Sequence, residues 1–165
     1  MKDYEQMEND IVALLNSNQE LKASAIITSL PDNESEGKPN FTKSRVYIAC
    51  TGAIYGLPEN LDIVVQEETI SFEAIITSRT RKGNSGVLGL TKMIGSILQG
   101  FKLYQGCDRI SLNKHGYIED GPVPNNFNYV LGFTILTKAV ANQSDPDEVD
   151  PDNDAYPLKL PEFLI

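Results

Sequence analysis

Histidine is almost missing from this chain, with His115 the only one. A Ser-His-Asp triad or a multi-histidine metal centre has no parts to be built from. His115 falls in Asn113-Lys114-His115-Gly116, a turn-like context that reads as polar surface. Cysteine is nearly as scarce. Cys50 and Cys107 lie far apart and form no C-x-x-C pattern. Cys50 sits in an apolar run and reads as a reduced core thiol. No apolar run approaches the roughly 18 residues of a membrane span, and the N-terminus lacks the basic, apolar and small-residue pattern of a secretory leader. The expectation is a soluble protein, made inside the cell, with no membrane partner. No internal repeat is visible.

Three further motifs are incomplete. Gly83, Gly86 and Gly89 recur before a helix-like stretch, but Leu90-Thr91 follows where a phosphate loop needs Lys-Ser/Thr, and no G-x-G is present. A flexible loop with Ser85 as helix cap is the simpler reading. Asp150-Pro151-Asp152-Asn153-Asp154 starts like a calcium loop, yet the sixth and twelfth positions hold Ala155 and Pro161 instead of Gly and Glu. Glu119 and Asp120 are adjacent at a turn. Neighbours on an extended chain point to opposite faces, so they make a poor acid/base pair. The expectation is a protein without catalysis, with no catalytic, cofactor-binding or metal-ligating residues and no cofactor.

Charge is present but uneven. The formal charge is −9 over 165 residues. From residue 141 onward seven acids face the single base Lys159, so the last stretch carries about −6 and the body about −3. Duplex DNA binding needs clustered Lys and Arg against phosphates, so overall acidity argues against a dedicated DNA-binding protein. One basic cluster exists, Arg79, Arg81 and Lys82. It is a solvated run, a loop lining a DNA-conducting pore, or a salt-bridging contact with another subunit.

What the chain does have is patterned segments. Asp3 can cap a first helix, with Gln6 in the reciprocal capping-box position and Tyr4, Met7, Ile11, Leu14 and Leu15 as its stripe. Asn16-Ser17-Asn18 ends it, and residues 23–29 read as a short strand or extended segment. Residues 31–42 form a polar loop. Ser44 to Thr51 alternates as a strand, with Val46, Ile48 and Cys50 on one face and Tyr47 and Ala49 on the other. A loop from Gly52 to Asp62 precedes the apolar Leu61–Val65. From Thr69, Ile70, Phe72, Ala74 and Ile76 alternate. After the basic loop the period changes, and Val87, Leu90, Ile94, Ile97 and Phe101 share a helical face widened by Met93 and Leu98, with Gly100 as the stop. Arg109 to Glu119 reads as a strand broken at Gly116. Phe127, Tyr129, Leu131, Phe133 and Ile135 alternate most cleanly, with Val130 and Leu136 opposite.

This order defines an α+β fold, a mostly antiparallel sheet with two helices packed on one face, plus an extended C-terminal arm. The domain spans residues 1–140. Residues 141–165 form an acidic Pro/Asp-rich arm with too little apolar surface to offset ordering entropy. Its tip regains Tyr156, Leu158, Leu160, Phe163, Leu164 and Ile165, candidates for docking on a partner or neighbouring subunit.

The layout of residues 4–140 resembles the phage tail-terminator family of the Mu and lambda types. The resemblance is carried by the capped helix Asp3–Leu15, the strand Arg45-Val46-Tyr47-Ile48-Ala49, the strand Ile70–Arg79, the Gly86–Gly100 helix with its exit Gln99-Gly100-Phe101-Lys102-Leu103, and the strand Asn126–Lys138. It implies a subunit of a homo-oligomer, a six-fold ring, that caps the tail tube, ends its polymerisation and presents a surface for head-to-tail joining. The implied partners are the tail tube protein, the sheath protein of a contractile tail and the head-completion or neck proteins. Genome DNA would pass through the pore in transit, and the protein would reside in the virion tail or neck after assembly in the host cytoplasm. Ring closure needs heterologous contacts, for which Ala53-Ile54-Tyr55 and Leu61–Val65 are candidates. The alternatives are another neck or head-closure connector, or a small binding module without catalysis.

Overall fold

The computed structural model describes residues 3–31, 43–58, 65–119 and 126–140. Among the described residues three helices and five strands follow in the order α1 (Tyr4–Ser17), α2 (Gln19–Ser24), β1 (Ala25–Ser29), β2 (Ser44–Tyr55), β3 (Val65–Ser78), α3 (Val87–Leu98), β4 (Ser111–Tyr117) and β5 (Phe127–Val140). The strands form one sheet in the order β1-β2-β3-β5-β4. Among the described strands β1–β2 pair in parallel and β2–β3, β3–β5 and β4–β5 pair antiparallel. This is the expected α+β architecture.

α1 starts where Asp3 accepts a hydrogen bond from the Glu5 amide at 3.2 Å. The reciprocal half of the capping box does not form, because the Gln6 amide turns forward to Asp10 at 2.9 Å. Asn18 does end α1, but its side chain also accepts from the Leu21 amide at 3.0 Å and so starts α2. That third helix was not expected. It adds Leu21, fully buried, to the core.

Strand bounds depart from those predicted. β2 continues through Gly52 to Tyr55, because a register slip between Cys50 and Gly52 absorbs one extra residue without ending the ladder. β4 is shorter than the predicted Arg109–Glu119, yet it passes the expected break at Gly116, which pairs with Val130. His115 therefore stands on an exposed edge strand, not in a turn. Val65 begins β3, while residues 61–64 of the apolar stretch lie outside the described residues, as does the whole arm from residue 141.

One face of the sheet carries the core. Val46, Ile48, Ile70, Phe72, Ala74, Ile76, Leu131, Phe133 and Ile135 meet Met7, Ile11 and Leu15 of α1 and Val87, Leu90, Ile94 and Leu98 of α3. Phe72 and Phe133 are register partners and stack with ring centroids 5.6 Å apart. Leu98 is fully buried, whereas Phe101, past the helix end, is half-exposed and leaves the predicted stripe. Gly100 does stop the helix, with φ 77° just beyond the Gln99 cap. Cys50, expected in the core, is only partly buried against it, whereas Cys107 is buried within it. Both thiols are free.

On the opposite face Tyr47, Ile75 and Val130 form an apolar row. It is flanked by a buried hydrogen bond from Thr77 Oγ1 to Asn128 Oδ1 at 2.6 Å. On its other side Lys114 reaches across Gly132 to Glu73 at 2.5 Å. Replacing Phe133 by Ala empties the centre of the main core and should cost about 3–5 kcal/mol, read by urea denaturation. An unchanged midpoint would mean that this stack is not the core.

Candidate assembly surfaces at the two ends of the sheet

Register brings the basic residues to one end. Ala25 opens β1 beside Ser44, and the Ser44 hydroxyl meets that of Ser78 at 2.9 Å. The starts of β1 and β2 thus lie level with the end of β3, and Lys43 comes to the same end as Arg79. The two line a cleft of about 590 Å³ together with Ser44, Ser78, Thr80 and Asn84. Both serine hydroxyls also reach the Ser85 carbonyl, at 2.5 and 2.9 Å, and clamp the basic loop to the strand ends.

The loop is shaped by its backbone. The Thr80 and Arg81 carbonyls accept from the Val87 and Leu88 amides, both at 3.1 Å, and so satisfy the first turn of α3. The cap residue is Gly86, with no side-chain bond, so Ser85 is not the cap. A Cβ on Gly89 would run into the Gly83 carbonyl oxygen, and one on Gly86 into that of Lys82. The glycine spacing therefore serves close backbone approach, not looseness. This packing leaves Arg79, Arg81 and Lys82 exposed, with no ion pair among the described residues.

The other end is acidic and apolar. Glu68 falls in the inward phase of the β3 alternation and is 1% exposed. Its carboxylate accepts from the Tyr4 hydroxyl, which lies 2.9 Å from that of Tyr55. The single Tyr4 proton goes to Glu68, so Tyr55 donates to Tyr4. The triad ties the start of α1 to the β2–β3 hairpin. Beyond it the Gly56 amide bonds the Glu67 carbonyl at 2.8 Å, and Gln66 Nε2 donates to the Gly56 carbonyl at 3.1 Å. Ile54 and Leu57 are left 72% and 89% exposed on this tip. Asp3, Glu5 and Glu67 are exposed at the same end, with Lys138 opposite Glu67 in the ladder.

The edges of the sheet are less inviting than its ends. β1 spans five residues, and past its end the Cys50 amide of β2 donates to Glu8 Oε1 at 2.5 Å, which blocks further pairing there. Burial raises the Cys50 thiol pKa. β4, at the other edge, carries exposed Lys114 and His115.

Among the described residues no group of three or more His, Cys, Asp or Glu is placed to hold a metal ion. Glu119 is exposed; Asp120, the calcium-like segment and the arm residues Tyr156, Leu158, Leu160, Phe163, Leu164 and Ile165 lie outside the described residues. Sequence reasoning found the basic loop and Ile54. It missed Tyr4–Glu68–Tyr55, whose signal was a carboxylate in phase with Ile70 and Phe72.

No curated protein matches this chain. The family models are informative: the chain belongs to the Gp37 protein family, whose model matches residues 11–152. This family is phage-related, and the chain is accordingly a phage protein of the structural or assembly kind.

Two outcomes follow from the ends. Gly89→Ala should cost about 1–3 kcal/mol by forcing the loop off α3, visible as a lowered denaturation midpoint; no change would refute the tight approach. The Tyr4 pKa is held above its ordinary 10.0, first by the Glu68 hydrogen bond and then by that of Tyr55. A raised folded-state value means that the stabilisation is whole below pH 10 and fades as pH rises through the folded value. Tyr4→Phe should flatten the Tyr4 share of that alkaline loss, measured by denaturation between pH 9 and 11.

Proposed function

We propose that this phage protein is a tail terminator. Copies close into a ring, six-fold in the resembled family, that caps the tail tube, stops its growth and offers the face on which the head is joined. The ring works by fit and not by turnover. It resides in the tail or neck of the virion, against tube protein, head-completion or neck proteins and, in a contractile tail, sheath protein. Genome DNA passes through its hole.

The observation that carries this reading is the pairing of two unlike exposed patches at opposite ends of one rigid sheet, in a chain of a phage-related family. Heterologous contacts between unlike patches close into rings when the rotation per copy allows it. A fold with helices packed on one sheet face presents both patches without rearrangement. The arm after residue 140, acidic and ending in apolar residues, is assigned to a neighbouring subunit or partner.

Electron microscopy of polymerising tail tubes with added protein tests the role. The expected result is density at one tube end only, and arrested tube length. Tubes that keep growing while the protein decorates head vertices would instead make it a head-closure connector.

A further inference from the structure

The two ends of the sheet carry opposite charge, and each carries exposed apolar side chains. At the basic end stand Lys43, Arg79, Arg81 and Lys82, with Phe127 exposed at the register position of Ser78. At the hairpin end stand exposed Asp3, Glu5 and Glu67 against one base, Lys138, across the ladder from Glu67, with Ile54 and Leu57 exposed beside them. In a chain of net charge −9 such a basic end is out of character, and its field attracts an acidic surface.

We infer that these ends are the two halves of one contact. The hairpin tip of one copy seats on the basic end of the next, Ile54 and Leu57 against the Phe127 side and Glu5 and Glu67 toward Arg79, Arg81 and Lys82. This deepens the ring reading and rests on it. Distance rules out a contact within one copy, and the match of charge to charge points to a second copy. β3 runs fourteen residues between the two ends, about 45 Å at ~3.3 Å per residue, so a chain cannot satisfy its own tip. Unlike patches make the contact head-to-tail, which is the type a ring requires. The tight backbone packing of the basic loop and the Tyr4–Glu68–Tyr55 tie hold the described residues of both surfaces in place before they meet. Little ordering entropy is then lost on contact. The opposed charges also set the direction, since tip-to-tip and base-to-base pairs repel.

Complementation tests this in the full chain. One variant carries Arg79→Glu, Arg81→Glu and Lys82→Glu; a second carries Glu5→Lys and Glu67→Lys. All five side chains are exposed, and circular dichroism checks that both variants fold. Light scattering should show each variant alone needing at least tenfold higher concentration to assemble than the unmodified chain. Their equimolar mixture should regain the unmodified mass, because every contact then joins opposite charges again. Two folded variants that assemble as before, or a mixture that stays dissociated, would overturn this contact and leave the ring intact as a reading. An unmodified chain that stays monomeric would overturn both. Loss of DNA retention in the first variant with its assembly unchanged would show the basic end to be a pore lining, and would also overturn the contact.

Discussion

The long antiparallel ladder between β3 and β5 is the constraint on which everything else rests. Fourteen residues on each strand pair in one unbroken register, from Val65 with Val140 to Ser78 with Phe127. A slip of one residue would turn Ile70, Phe72, Ala74 and Ile76 away from the helices and expose them all. The stacked Phe72–Phe133 pair lies mid-ladder and makes that slip costly. β2 and β4 then add on either side, and α1 and α3 have one apolar floor to cover.

The same ladder sets the two ends of the sheet apart. Because β3 is long, its two ends are far apart and face different surroundings. One end leads into the basic loop folded on the start of α3. The other carries the hairpin, held to α1 through a buried carboxylate and two tyrosines. The sheet face opposite the helices, with its Glu73–Lys114 pair and Thr77–Asn128 bond, is largely occupied with itself. At both ends apolar side chains and charges meet solvent together, Ile54 and Leu57 at one and Phe127 at the other.

Much of the fold is legible in the residues. Alternation placed Ile70 to Ile76 and Leu131 to Ile135 on their correct faces, since period two survives wherever one face is buried. The helical face of Leu90 and Ile94 showed for the same reason. α2 escaped because six residues barely complete one period. Gly52 and Gly116 read as breaks because a bulge, or a glycine paired within a strand, leaves no local mark in sequence. The glycines before α3 read as slack because close backbone approach depends on what lies opposite. Lys43 and Arg79 could not be joined by inspection, as only the strand register makes them neighbours. The tail-like layout was visible as texture, and the family match settles its phage-related character while the terminator role stands as proposed.

At the centre of the account is the claim that this chain acts by lodging against copies of itself through the ends of its sheet. Amide hydrogen exchange on the full chain, followed from dilute to concentrated solution, reads those ends directly. Exchange in residues 54–57 and 79–85 should slow together as concentration rises, while the core strands stay protected throughout. Exchange at both ends that ignores concentration, in a chain that remains folded, would contradict it.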